Sequence, residues 1–159
     1  MTQPNNSTLK NVAFYAACFT FSVALFVALA AAGHVYPLGD NSFLTNDLKY
    51  QYIDFFAWFR RVLLGEANLR YSFSQGLGMN TWGLYSYYLA SPFNLLCVLF
   101  PADKLTLFVF AITALKLGCI HISSAWYVQK RFDLPKPAAF LLSLSFTFCS
   151  WTISNPVSY

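Results

Sequence analysis

Residues 11–33 read NVAFYAACFTFSVALFVALAAAG, and no Lys, Arg, Asp or Glu occurs between Lys10 and Asp40. A helix needs about 20 mostly apolar residues to cross the hydrocarbon core of a bilayer, so this stretch qualifies as a span. The whole chain agrees. Of 159 residues, 57% are hydrophobic, 19% aromatic and only 10% charged, where soluble domains carry about 25% charged residues. Such a composition excludes a disordered chain, a collagen-like chain and an ordinary water-soluble domain. The net charge of +4 comes from cations scattered beside apolar runs, the pattern of a bilayer-spanning chain and not of a nucleic-acid binder. The fold class expected is all-α, a polytopic integral membrane protein. Ala30–Gly33 offers small residues like those of a signal-peptide cleavage site. However, the apolar run exceeds the about 7–15 residues of a signal h-region, which favours an uncleaved first span over 11–33 after a tail over 1–10.

Beyond that span the composition changes. Asp40, Asp47, Asp54 and Glu66 fall within residues 34–83, with Lys49, Arg60, Arg61 and Arg70. Pro37 and Gly39 break the first helix, and Thr45 or Asn46 can cap a second that opens at Asp47. Tyr52, Phe55, Phe56, Phe59, Val62 and Leu63 recur at helical spacing, so residues 47–64 read as an amphipathic helix ended by Gly65. Residues 71–80, with Gly76 and Gly78, read as a turn-rich loop. A short apolar helix over 85–100 contains Pro92, and a longer run over 105–129 contains Lys116 and His121. A basic loop over 130–137 separates it from a last apolar run, 138–159, in which the sequence ends. A third span, cut short there, is expected over this run. The four cysteines form no C-x-x-C pair and sit in apolar stretches, as small buried hydrophobes do.

Charge bias orients the spans. Lys10 places the N-terminus in the cytoplasm, and Lys130, Arg131 and Lys136 place their loop there too. Two cytoplasmic ends require an even number of crossings between them. Residues 11–33 and 105–129 supply two, so 85–100 is expected to lie at the outer face. Sixteen helical residues reach only about 24 Å, short of a core near 30 Å. Residues 34–104 then form one extracytoplasmic loop of membrane-surface helices. The rival is a further span over 85–100, with the basic loop outside.

Chemistry can sit in two places. Asp47 and Asp54 are seven residues apart and share one helix face within about 20°, with Tyr50 and Gln51 between them. An acid held within hydrogen-bond reach of a hydroxyl can deprotonate it; the alternative is the wetted side of an amphipathic helix. Lys116 lies inside an apolar span, about 16 Å from Leu105 and about 21 Å from Lys130 along the helix. Intramembrane lysines are costly and commonly functional, though this one can also snorkel toward headgroups. His121 reads as a packing residue. The glycines at 76 and 78 suit a tight turn or the approach of a phosphate, and Trp58, Trp82 and the tyrosines suit interface anchoring or stacking on a sugar.

Taken in order, Tyr36–Gly39, the block from Asn46 to Tyr52, the block from Tyr71 to Asn80, the block from Tyr87 to Leu96 and Leu115–Leu117 closely resemble the N-terminal part of the bacterial YfhO membrane protein family. That family is similar to the GT-C glycosyltransferases, which use polyprenyl-phosphate-linked sugars on the outer membrane face. The resemblance implies a catalytic acid in the first outer loop, the place Asp47 occupies. It also implies a lipid-linked sugar as donor and a cell-envelope polymer such as lipoteichoic acid as acceptor. Tyr50, Gln51 and Asp54 are then expected to position substrate, and Arg70 and Lys116 to balance donor phosphate charge. Some similar enzymes use a divalent metal and others do not, and no ligand cluster decides it. The alternative class is non-enzymatic: a transporter or lipid flippase with Lys116 and His121 along its path, or a scaffold. The expected setting is the lipid bilayer of the cell membrane, multi-pass, with no nucleic-acid partner.

Overall fold

A computed structural model of the chain describes residues 6–42, 44, 48–73, 77–150 and 152. The described residues form two compact units, those of 6–33 with 113–152, and those of 34–112.

The first unit holds α1 (Asn6–Ala32), the greater part of α4 (Leu105–Phe132) and α5 (Lys136–Thr147). Among the described residues two stretches, Leu9–Ala32 and Ala102–Phe132, are long and apolar enough to cross a membrane. At 27 and 28 residues, α1 and α4 extend about 40 Å each. They run antiparallel. Tyr15 Oη donates to Gln129 Oε1 at 3.0 Å near one end, and Ser22 meets His121 two turns along. Lys136 Nζ, at the start of α5, donates to the Lys10 carbonyl at 3.0 Å and lies 5.5 Å from the centre of the Phe14 ring. Further along α5, Phe140 packs edge-on against Phe21 at 5.2 Å.

Hydroxyls in these apolar helices are satisfied locally. Thr20, Ser123, Ser124, Ser143, Ser145 and Thr147 each donate to the carbonyl four residues back, the usual side-chain bond of Ser and Thr within a helix. Gly118 permits α1 to approach: a Cβ there would stand 2.5 Å from Phe19 ring carbons.

The end of α1 comes a turn before Pro37. Gly33 N–H still reaches the Leu29 carbonyl at 2.9 Å, and His34 then takes a left-handed conformation at φ 50°. Helix α5 spans 12 residues, about 18 Å, before the chain turns at Phe148 and Cys149; Ser150 and Thr152 are helical again. The far end of the expected third span, 153–159, lies outside the described residues.

In the second unit a π-helical turn, Leu48–Tyr52, runs into α2 (Ile53–Leu63). Phe56 and Phe59 of α2 are buried. Phe56 meets Phe108, in the first turns of α4, edge-on at 5.1 Å, and Phe100 meets the same ring at 5.5 Å. At the end of α2, Glu66 N–H bonds the Arg61 carbonyl at 2.8 Å and Gly65 N–H the Val62 carbonyl at 3.0 Å, with Gly65 at φ 78°. This is a Schellman stop, and it needs the left-handed conformation that glycine adopts without strain.

Residues expected to form only a turn-rich loop instead pair as a short hairpin, β1 (Tyr71–Ser72) with β2 (Met79–Asn80), in register Tyr71↔Asn80 and Ser72↔Met79. Thr81 closes its base, its hydroxyl donating to the Leu69 carbonyl and its N–H to the Arg70 carbonyl at 3.2 Å. Next come α3 (Trp82–Leu84), a second π-helical turn, Tyr85–Leu89, and a 3-10 helix, Pro92–Leu99. The expected single helix over 85–100 is therefore broken. Ser91 is extended at ψ 130° because the proline ring disfavours helical geometry in the residue before it. In a 3-10 helix residues three apart share a face: Asn94 and Cys97 are buried, while Leu96 and Leu99 are exposed.

Substituting Gly118→Ala should displace the Phe19 ring and cost roughly 1–3 kcal/mol. In thermal unfolding of the purified protein, the loss should be smaller when Phe19→Ala is already present. Strict additivity of the two changes would count against this close approach.

Candidate functional site

The helical stretch from Leu48 to Leu63 sorts its side chains by face. Phe56 and Phe59 point into the unit, whereas Lys49, Gln51, Asp54 and Arg61 are exposed. Gln51 and Asp54, three residues apart, thus stand on the polar side of one helix, as the sequence spacing predicts. Tyr50 lies in the π-helical turn beside them. Asp47 and the capping candidates Thr45 and Asn46 fall outside the described residues.

Behind this polar face stands a wall of rings. The two π-helical turns meet through Tyr52 and Tyr88, edge-on at 5.2 Å, and Phe55 also lies 5.2 Å from Tyr88. Phe59 reaches Tyr85 at 5.7 Å, and Trp82 meets Tyr85 at 5.9 Å. Turns of π-helix are uncommon and recur near functional sites.

Arg70 is exposed at the base of the hairpin, where its backbone N–H donates to Asn68 Oδ1 at 2.8 Å and its carbonyl accepts from Thr81. It shares the second unit with Gln51 and Asp54. Lys116 belongs to the first unit and is buried on α4 at 6% exposure. The phosphate-approach reading of Gly76 falls outside the described residues, and Gly78 faces the Tyr71 hydroxyl across the hairpin at φ 104°.

Sequence reasoning passes over the roles of Arg60 and Asn94 and the partners of His121. Arg60 is half-buried, and its Nε–H donates to the Phe100 carbonyl at 2.7 Å, stapling α2 to the turn before α4. Its position, four residues after Phe56 and one after Phe59, was the available signal, since it falls on the flank of the apolar stripe. Asn94 is fully buried, with Nδ2 donating to the Tyr88 carbonyl at 3.4 Å and Oδ1 without a partner among the described residues. Ser22, His121 and Phe140 form a hydrogen-bonded group. The Phe140 carbonyl can only accept, so His121 Nε2 carries the proton and donates to it at 3.3 Å; Nδ1 then accepts from the Ser22 hydroxyl at 2.6 Å. His121 joins α1, α4 and α5, the packing role read from its place in an apolar run.

Cys97 lies beneath Arg60. Burial pushes its thiol up to about 11 from an ordinary 9.0, although the Arg60 charge and a backbone hydrogen bond pull the other way. Cys18, Cys97 and Cys119 are free thiols.

Two long apolar helices with a loop of short helices folded on the first turns of α4 define a helical membrane protein. The sequence profile described as bacterial membrane protein YfhO matches residues 17–159, and the chain belongs to that family. Comparison with curated proteins and with solved structures finds no match.

A variant keeping Cys97 as its only cysteine should resist maleimide at pH 7–8 when folded and react readily when unfolded. Labelling of the folded protein should rise only as pH passes 9.0 toward about 11, where the thiolate forms. Equal rates for folded and unfolded protein at pH 8 would contradict the burial.

Proposed function

We propose that this chain takes part in an inverting glycosyl transfer from a polyprenyl-phosphate-linked sugar to a cell-envelope acceptor, such as lipoteichoic acid, at the outer membrane face. The acceptor hydroxyl attacks the anomeric carbon, the carbon–oxygen bond to phosphate breaks, and polyprenyl phosphate leaves. Asp47 takes the hydroxyl proton or orients that hydroxyl. Tyr50, Gln51 and Asp54 position acceptor or sugar. Arg70 and Lys116 balance the charge of the departing phosphate.

The observation that carries this reading is the exposed polar face holding Gln51 and Asp54, on an element whose opposite face is fixed to the start of α4. Asp47 directly precedes that element in sequence. Family membership supports it through the resemblance to GT-C enzymes, whose acid follows the first span.

The orientation proposed is a cytoplasmic N-terminus and three spans, the third beginning with α5. Support comes from the antiparallel pairing of α1 with α4 and from the bond between Lys136 and the Lys10 backbone, which bring the basic loop and the N-terminal segment to one end of the helix pair. Two crossings then suffice, and the broken segment from Trp82 to Leu99 stays at the surface.

In the full-length protein, Asp47→Asn should lower sugar transfer at least about 100-fold, the scale of a lost general base, while insertion and folding persist. Transfer that survives Asp47→Asn, with lipid movement blocked by Lys116→Ala, would establish the transporter reading instead. Cysteines placed at Gly83 and at Asp103 should both label from outside the cell. Labelling from opposite sides would make the intervening segment a span.

A further inference from the structure

We propose that Lys10, Lys130, Arg131 and Lys136 form a binding site for the phosphate of an anionic glycerophospholipid, at the end of the first unit where α1 begins and α4 finishes. The fold gathers these cations from three helices. Tyr15 Oη reaches Gln129 Oε1 at 3.0 Å, which sets the first turns of α1 beside the last turns of α4, and Lys130 and Arg131 follow Gln129 directly. Lys136 opens α5 and donates to the Lys10 carbonyl at 3.0 Å. Asp133 is the one acid among the described residues of this unit, and none of the four cations meets a carboxylate among the described residues. Like charges held at one end repel one another unless an anion lies between them.

Depth decides which anion that is. Lys10 is the second residue of the apolar stretch Leu9–Ala32, and Lys130 and Arg131 close the stretch Ala102–Phe132. Where such stretches cross a bilayer their ends stand at the headgroups, so the phosphate that meets these cations is a lipid's. Trp126 and Tyr127, exposed one turn before Lys130, are the ring types that settle at that level. Two of the four side chains are already held in place. Lys136 is half-buried, its ammonium bonded to the Lys10 carbonyl and 5.5 Å from the centre of the Phe14 ring. An ammonium has three N–H donors, and that carbonyl takes one. The Arg131 guanidinium lies 5.7 Å from the centre of the Phe132 ring, and its fork of donors matches two oxygens of one phosphate. Lys10 and Lys130 are exposed. A zwitterionic lipid would bring its own ammonium into this cluster, whereas phosphatidylglycerol brings the negative phosphate alone, so the site selects acidic headgroups. It does so whichever leaflet this end faces and whether or not the chain transfers sugar.

The test uses the full-length protein in nanodiscs of phosphatidylcholine alone or mixed with phosphatidylglycerol, with acetylation of each lysine by an N-hydroxysuccinimide ester read by peptide mass spectrometry. Phosphatidylglycerol should slow acetylation of Lys10 and Lys130 several-fold. Lys104, exposed at the opposite end of the Ala102–Phe132 stretch, should be nearly unchanged. Arg131→Gln combined with Lys136→Gln should remove the protection of Lys10 and Lys130, and Asp133→Asn should retain it. The first measurement needs no substitution, so it decides the matter even if the double variant folds poorly. Equal slowing at Lys104 shows diffuse attraction to a charged bilayer and overturns the site. Slow acetylation in phosphatidylcholine alone shows that protein covers the cations, and overturns it too. An unchanged rate, or protection that survives the double variant, does the same.

Discussion

Phe56 against Phe108 is the contact on which the second unit depends. Burying a phenylalanine contributes about 1.5–3 kcal/mol, and an edge-on ring pair adds about 0.5–1.5 kcal/mol. Without that anchor, Leu48–Leu63 would be a single amphipathic helix of marginal stability in water. With it, the helix cannot rotate. Phe56 and Phe59 are held inward, so Gln51 and Asp54 must face out, and Arg60 falls where its Nε–H meets the Phe100 carbonyl. A polar face that presents Gln51 and Asp54 reproducibly is therefore a consequence of ring packing on its far side.

The first unit solves a different problem, that of carrying hydroxyls and an imidazole in helices suited to hydrocarbon. An unsatisfied polar group there costs several kcal/mol. Most hydroxyls bond within their own helix and so place no demand on neighbours. The Tyr15 hydroxyl instead crosses to Gln129, and the Ser22–His121–Phe140 chain needs three helices in register, which makes His121 a structural joint. That arrangement also explains why an ionisable residue in a span need not mark a transport path.

Long-range features of the sequence carried through to the fold where a single strong physical term decides them. The charge-free run over 11–33 becomes α1, the 3.6-residue stripe becomes α2, and Gly65 stops that helix by the left-handed turn its position suggests. Features that depend on weak local balances did not carry through. Two strands of two residues each leave no alternation to detect, so the hairpin was read as a turn. A run such as Tyr85–Phe100 has apolar residues on every side, and its periodicity cannot distinguish α, π and 3-10 geometry; only Pro92 betrays the break. For the candidate site, the polar face of α2 was legible from spacing, whereas Arg60 was not. A cation on the edge of an apolar stripe looks solvated until the carbonyl that receives it is known.

Charge divides the loop after α1 into two kinds of surface. Asp40, Lys49, Asp54, Arg60, Arg61, Glu66 and Arg70 crowd its first half, and residues 71–102 have none. A loop held wholly in water has no reason to segregate its charges in this way, since a charge on either half would be equally well hydrated. Under the proposed placement of this loop at the outer face the reason is direct, because a charge carried into the hydrocarbon is costly. The rings Tyr85, Tyr88 and Trp82 are the seam between the halves, bound on one side to α2 and continuing on the other into the hairpin and the 3-10 helix. A polar face joined in this way to an uncharged, aromatic-rich one would be held close to the headgroups, where a lipid-borne phosphate is found.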